Sequence, residues 1–166
     1  MTTSPTSDPL PDSAPVPFPT QGRLLGCDYG TKRLGLAISN PEQTIASPFE
    51  NCPRGDKVQE LRHLRQVVQD YRVVGLIVGL PVHLSGDEGG KAREARAFGD
   101  GLSQTLSLPV RYWDERYSSA IAEAHLISFD MSRKKRKARL DKLAAQVILQ
   151  SYLDSGDRAA VAGPLG

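Results

Sequence analysis

Apolar residues recur along the chain with two periods, and the two periods mark out its elements. Leu24 to Asp28, Arg33 to Ser39 and Thr44 to Glu50 are short apolar or alternating runs. Tight Gly- or Pro-containing connections join them, which predicts three strands in an antiparallel meander. Val73 to Leu80 is almost uninterrupted in apolar residues and ends at Pro81, the pattern of a central strand covered on both faces. Pro109 to Asp114 reads as a fifth strand. Between Asp56 and Asp70, the residues Val58, Leu61, Leu64, Val67 and Val68 fall three and four apart, which predicts an amphipathic helix capped by Asp56. Glu88 to Leu106, Ser118 to Phe129 and Arg139 to Leu153 read as three more helices. A meander followed by alternating helix and strand predicts an α/β fold: a mixed five-stranded sheet, its last two strands added in parallel, with helices on its faces.

The flanks differ from this core. Residues 1–21 are rich in Ser, Thr and Pro, with too few large apolar side chains to offset the entropy of ordering, so a disordered tail is expected there. A flexible C-terminal tail is expected over 155–166, which leaves 22–154 as a single folded domain. No apolar run reaches the roughly 18 residues of a membrane span, and the first residues lack the basic start and apolar stretch of a secretory signal. Two cysteines, Cys27 and Cys52, form no disulfide framework and show no Cys-x-x-Cys spacing. These features predict a cytoplasmic protein without a membrane partner.

Net charge is only +2, but its distribution is uneven. Arg133, Lys134, Lys135, Arg136 and Lys137, with Arg139 after them, form a cationic block that suits a polyanion. Mutual repulsion predicts a flexible loop that orders on nucleic acid, the alternative being a solvated helix face or a nuclear-type signal.

The acidic residues carry the candidate chemistry. Asp28 ends an apolar strand that contains no cation, and a carboxylate there costs solvation unless a cation meets it. A divalent metal ion would meet it; a turn-forming aspartate in Asp28-Tyr29-Gly30-Thr31 is the plain alternative. Asp114 and Glu115 follow the fifth strand, so alternation sends them to opposite faces. Glu115 is favoured as a ligand and Asp114 as its supporting partner or a helix cap, against a simple ion pair with Arg116. Asp141 shares a helical stripe with Ala144, Ala145 and Ile148, against an ion pair with Lys137 or Lys142. Carboxylates converging from separate segments suit Mg²⁺ or Mn²⁺, held about 3.5–4 Å apart in two-metal phosphodiester cleavage. Lys32, Arg33 and Arg116 are candidate phosphate contacts, each otherwise a solvated cation. Tyr29, Tyr112, Trp113 and Tyr117 are candidates for stacking on a base or for the core. His63, His83 and His125 do not cluster in sequence and are given no metal role.

Taken together, several motifs resemble the YqgF/RuvX family of Holliday-junction-resolvase-like proteins, regarded as nucleases of pre-16S ribosomal RNA. Residues 25–37, Leu-Gly-Cys-Asp-Tyr-Gly-Thr-Lys-Arg-Leu-Gly-Leu-Ala, match its opening motif. Val78-Gly79-Leu80-Pro81 with Gly86 looks like its Gly-Leu-Pro loop. Asp114-Glu115-Arg116 with Ser118-Ser119, and Asp141-Lys142-Leu143-Ala144-Ala145 with Ile148, Leu149, Tyr152 and Leu153, look like its second acidic motif and final helix. His83 and Ser85 depart from the pattern in the Gly-Leu-Pro loop, and the N-terminal extension stands outside it. The resemblance implies a ribonuclease-H-like fold and an acidic triad of Asp28, Glu115 and Asp141 that binds Mg²⁺ or Mn²⁺ and cleaves phosphodiester bonds. It also implies pre-rRNA or branched or single-stranded DNA as substrate, and a four-way junction would suit a homodimer. Two other classes compete: a non-catalytic nucleic-acid-binding module for ribosome assembly or DNA repair, and an ATPase opened by the same Asp-x-Gly-Thr. The ATPase class needs two such domains, and this chain has one.

Overall fold

The computed structural model describes residues 18–30, 32–81, 89–114 and 133–155, with 133–142 described as helical backbone. Its elements run β1 (Arg23–Tyr29), β2 (Arg33–Ser39), β3 (Ala46–Pro53), α1 (Lys57–Tyr71), β4 (Val73–Leu80), α2 (Gly90–Leu106), β5 (Val110–Asp114) and α3 (Arg133–Asp154). The five strands form one sheet in the order β3-β2-β1-β4-β5. The first three pair antiparallel, and β1–β4 and β4–β5 pair parallel, as the alternation of elements predicts. The helix expected over 118–129 lies outside the described residues.

Strand alternation splits the core into two layers. Leu25, Cys27, Leu34, Leu36, Leu76, Val78, Leu80 and Tyr112 face α1 and α2, whose Leu64, Val67, Ala95 and Leu102 complete that layer. Leu24, Ala37, Ile77 and Trp113 face α3, which contributes Ala145, Ile148, Leu149, Tyr152 and Leu153. Helix α1 forms where its periodicity predicts, and Asp56 caps it by accepting from the Val58 and Gln59 N–H groups at 2.9 and 3.4 Å. Val58, counted among its apolar stripe, is 63% exposed and stays outside the core.

Helix α3 sits unusually close to the sheet because Gly26 has no side chain. A Cβ at that position would lie 2.9 Å from Leu149 Cβ and 3.3 Å from the Ala145 carbonyl oxygen. Gln146 and Gln150 then reach the edge strand: Gln150 accepts from the Ala46 N–H at 2.8 Å, and both amides donate to carbonyls of Ala46 and Thr44 at 3.1 and 3.0 Å.

Strand β3 is shifted to Ala46–Pro53 from the expected Thr44–Glu50, and three further differences from the sequence expectation bear on the site. Strand β1 continues through Asp28 to Tyr29, because Asp28 pairs with Gly35 and Tyr29 with Leu34. Asp28 is therefore inside the ladder rather than at its tip. Helix α3 begins at Arg133, not Arg139, so the cationic block is helical instead of a loop. Lys and Arg are good helix formers, and the block continues a helix already fixed by packing at its C-terminal half. Finally, Phe18 to Gln21 fall in the stretch expected as tail, yet Phe18 is only 9% exposed. Its ring stands edge-on to Tyr152 at 5.9 Å and covers Gly75, while the buried Gln43 amide donates to the Pro19 and Gly22 carbonyls at 3.2 and 3.0 Å.

The helix–sheet contact makes a stability prediction. Gly26→Ala forces α3 away from β1 and should destabilise by about 1–3 kcal/mol, as overpacking does. Gly101→Ala, in α2 with nothing within 4 Å of its Cβ position, should stabilise by about 0.5–1 kcal/mol by helix propensity. Urea midpoints of the two variants should move in opposite directions.

Candidate active site

Asp28 stands on the α3 face, two residues beyond Gly26 along the same row of side chains. It is partly buried. Its ladder partner in β2 is Gly35, and Gly79 in β4 follows Val78, the partner of Cys27. The strand positions on either side of the carboxylate are thus glycines, residues that allow another group to approach the backbone closely.

The direction of α3 over this row can be followed through its contacts. Tyr152 meets Phe18, which covers Gly75, and Gly75 pairs with Leu24. Leu149 and Ala145 meet Gly26. Moving toward the N-terminus of α3 therefore moves along β1 toward Asp28. Two residues of strand rise about 6.8 Å and four of helix about 6 Å, so the two elements keep step.

Alternation also sorts the second acidic pair. Tyr112 faces α2, Trp113 faces α3, and Asp114 returns to the α1/α2 side, where it is 2% exposed. Asp114 and Asp28 thus project from opposite faces of the sheet. Glu115 and Arg116 lie outside the described residues, as does the side chain of Asp141.

Lys32 and Arg33 are exposed beside the β1–β2 turn. That turn is held by a residue the sequence reading did not single out. Arg54 donates from its backbone N–H to the Lys32 carbonyl at 2.9 Å and from its guanidinium to the Gly30 carbonyl at 3.1 Å. Its guanidinium also pairs with Glu60 at 3.0 Å and lies over the rings of Tyr29 and Phe98. Burial works to lower its pKa, but Glu60 and Tyr29 outweigh that and the net direction is upward. Arg54 fixes the turn that follows Asp28, and only the tertiary pairing of β2 with β3 brings it there.

Three of the four aromatics considered for base stacking belong to the core. Tyr29 packs on Phe98 at 5.0 Å, and Trp113 donates to Ser151 Oγ at 2.9 Å while meeting Tyr152 edge-on. Tyr112 donates to the Arg96 carbonyl at 2.8 Å and to Asp100, and burial followed by the Asp100 contact pushes its pKa up. Tyr117 lies outside the described residues. Cys27 is fully buried, and burial, then the nearby Asp28 charge, pushes its thiol up to about 12. It is an inert core residue at neutral pH.

A second constellation lies on the other face. Glu50 and Cys52 alternate onto the same side of β3, and His63 on α1 reaches them: His63 Nε2 is 2.8 Å from Glu50 Oε1. One ligand atom from each of Glu50, Cys52 and His63 falls within 4.8 Å of the others. Sequence separation hides this group, and the one local signal is the Glu-x-Cys alternation on an edge strand.

Among the described residues no helix is long and apolar enough to cross a membrane. Comparison with known proteins agrees with the fold and with the family resemblance. Thermus thermophilus RuvC in complex with a Holliday junction substrate superposes with a TM-score of 0.51 at 16% identity, over 87% of this chain and 99% of that one, a likeness of fold. Proteins named "Putative pre-16S rRNA nuclease" match far more closely in sequence. That of Bradyrhizobium diazoefficiens is 41% identical, covering 88% of this chain and 90% of its own. That of Caldanaerobacter subterraneus is 43% identical, covering 80% of this chain and 96% of its own. The family model described as RuvX, Holliday junction resolvase, matches residues 22–155, the whole span from β1 to the end of α3, and the chain therefore belongs to the RuvX family.

Proposed function

We propose that this chain is a divalent-metal-dependent nuclease that hydrolyses phosphodiester bonds, in 5′-end processing of pre-16S rRNA or in resolving branched DNA. The observation that carries the reading is the setting of Asp28: a carboxylate between two glycine positions, on the sheet face over which α3 runs toward its N-terminal half. Position 141 is one helical turn before Ala145, which already meets Gly26, and Asp28 is the next residue on that row. Asp114 lies on the face opposite Asp28, which supports choosing its sequence neighbour Glu115 over Asp114 as the partner of Asp28. Asp28, Glu115 and Asp141 would then offer an all-oxygen donor set, which fits Mg²⁺ or Mn²⁺. Without cations, two carboxylates about 4 Å apart repel by about 4 kcal/mol at an effective dielectric of about 20. Asp114, almost fully buried on the opposite face, is not counted among the direct ligands.

When bound, such ions supply an activated water and stabilise the leaving 3′ oxygen. The chain's own residues position the substrate. Lys32 and Arg33 flank the turn that Arg54 holds, where a phosphate beside Asp28 would meet them. Arg116 would act from the end of β5. Arg133, Lys134, Lys135, Arg136, Lys137 and Arg139, carried on a helix rather than a loop, would meet backbone phosphates from the same helix as Asp141. Binding and cleavage are thereby linked through one element. Names of relatives at about 40% identity support rRNA as substrate, and the cytoplasm as the place of work follows from that substrate.

Two outcomes are expected. Cleavage of matched RNA, single-stranded DNA and junction substrates should require Mg²⁺ or Mn²⁺ and stop with chelator. Asp28→Asn should lower it by about a hundredfold or more, the order lost with one charge-stabilising group, while binding is retained. Retained cleavage in that variant removes the mechanism. In binding assays, about five phosphate contacts give a log–log salt slope near −4.5, and Lys134→Ala with Lys135→Ala should reduce its magnitude by about 2. An unchanged slope would detach the helix from the substrate.

A further inference from the structure

Glu50, Cys52 and His63 lie on the sheet face opposite Asp28, in a cleft of about 460 Å³ between β3 and α1 that the hydrolytic chemistry does not use. Their donor set differs in kind from the acidic triad. It combines sulfur, imidazole nitrogen and a single carboxylate, which suits a borderline-soft ion and disfavours magnesium.

We propose that Glu50, Cys52 and His63 form a second metal site, specific for Zn²⁺ and distinct from the hydrolytic centre. Zinc bonds of about 2.3 Å to sulfur and about 2.0–2.2 Å to nitrogen and oxygen set ligand-to-ligand distances of about 3.3–3.8 Å in a tetrahedron. The three ligand atoms now lie within 4.8 Å of one another, and His63 and Glu50 are 2.8 Å apart. Closing one edge by about an ångström and opening another by about half that is within the reach of side-chain rotation. The histidine and glutamate side chains are 46% and 39% exposed, so an ion can enter from solvent and keep a water as its fourth ligand.

Electrostatics favour a dication there. Burial, then Glu50 and Glu60, pushes the Cys52 thiol up to about 11. The same negative surroundings that disfavour a bare thiolate attract Zn²⁺, and a coordinated thiol gives up its proton to solvent on binding. The nearby cation, Arg54, is already engaged by Glu60. Occupancy would tie β3 to α1 two residues before Arg54, the side chain that holds the Gly30 carbonyl. Zinc would thus stiffen the support of the turn beside Asp28 without touching substrate.

The test uses the full chain with any affinity tag removed. Cobalt(II) should give a thiolate charge-transfer band in the near ultraviolet, and zinc should displace it with one equivalent per chain. Cys52→Ser should abolish the band, Cys27→Ala should keep it, and His63→Gln should weaken zinc in chelator competition by at least about tenfold. Thermal melting should rise with zinc in the unaltered chain and in Asp28→Asn alike, which separates this site from the hydrolytic one. Circular dichroism checks that each variant folds. Absence of the band, its survival in Cys52→Ser, or zinc affinity unchanged by His63→Gln overturns the proposal and leaves His63 and Glu50 as an ion pair.

Discussion

The close seating of α3 on β1 is the constraint from which the rest of the structure follows. Any side chain at position 26 would strike Leu149 Cβ, at 2.9 Å from its Cβ. With glycine there, the helix settles low enough for its glutamines to complete the backbone hydrogen bonding of β3 at Ala46, and its aromatic end closes over Phe18 and Trp113. The same seating fixes which turn of the helix passes over which row of the sheet. The N-terminal half of the helix is thereby directed along the row of β1 that carries Asp28.

Much of this was legible in the sequence, for reasons that differ by element. The alternation in β1 and β2 and the saturated run of β4 need no tertiary information, because side-chain direction in a strand follows from sequence parity. Asp56 announces the start of α1 through a local capping preference. Asp28 was legible as a candidate because an acid inside an apolar run conflicts with burial, and such conflicts mark functional positions. Parity likewise separates Asp114 from Glu115 in direction; Asp114 is buried on the α1/α2 face, and Glu115 lies outside the described residues.

What escaped depends on contacts between distant segments. Phe18 is a lone aromatic in a Pro/Ser/Thr stretch, and its partners Gly75, Arg111 and Tyr152 are dispersed along the chain. Arg54 looks like an ordinary loop cation until β3 pairs with β2 and swings it beneath Tyr29 and Gly30. The grouping of Cys52 with His63 requires α1 to lie against the edge of the sheet, which no spacing within either segment encodes. Repulsion within the cationic block favours a loop, but helix propensity and continuity with the packed half of α3 prevail over it.

The two faces of the sheet thus carry different chemistry on one scaffold. The α3 face carries the Asp28 carboxylate; the α1 face carries the Glu50, Cys52 and His63 cluster beside the Arg54 buttress. The central claim, that three distant acids share one divalent-metal site, is tested most directly by anomalous diffraction from crystals grown with Mn²⁺. The account predicts manganese bound among the carboxylates of Asp28, Glu115 and Asp141. Manganese found only elsewhere, with those three carboxylates too far apart to share an ion, would contradict it.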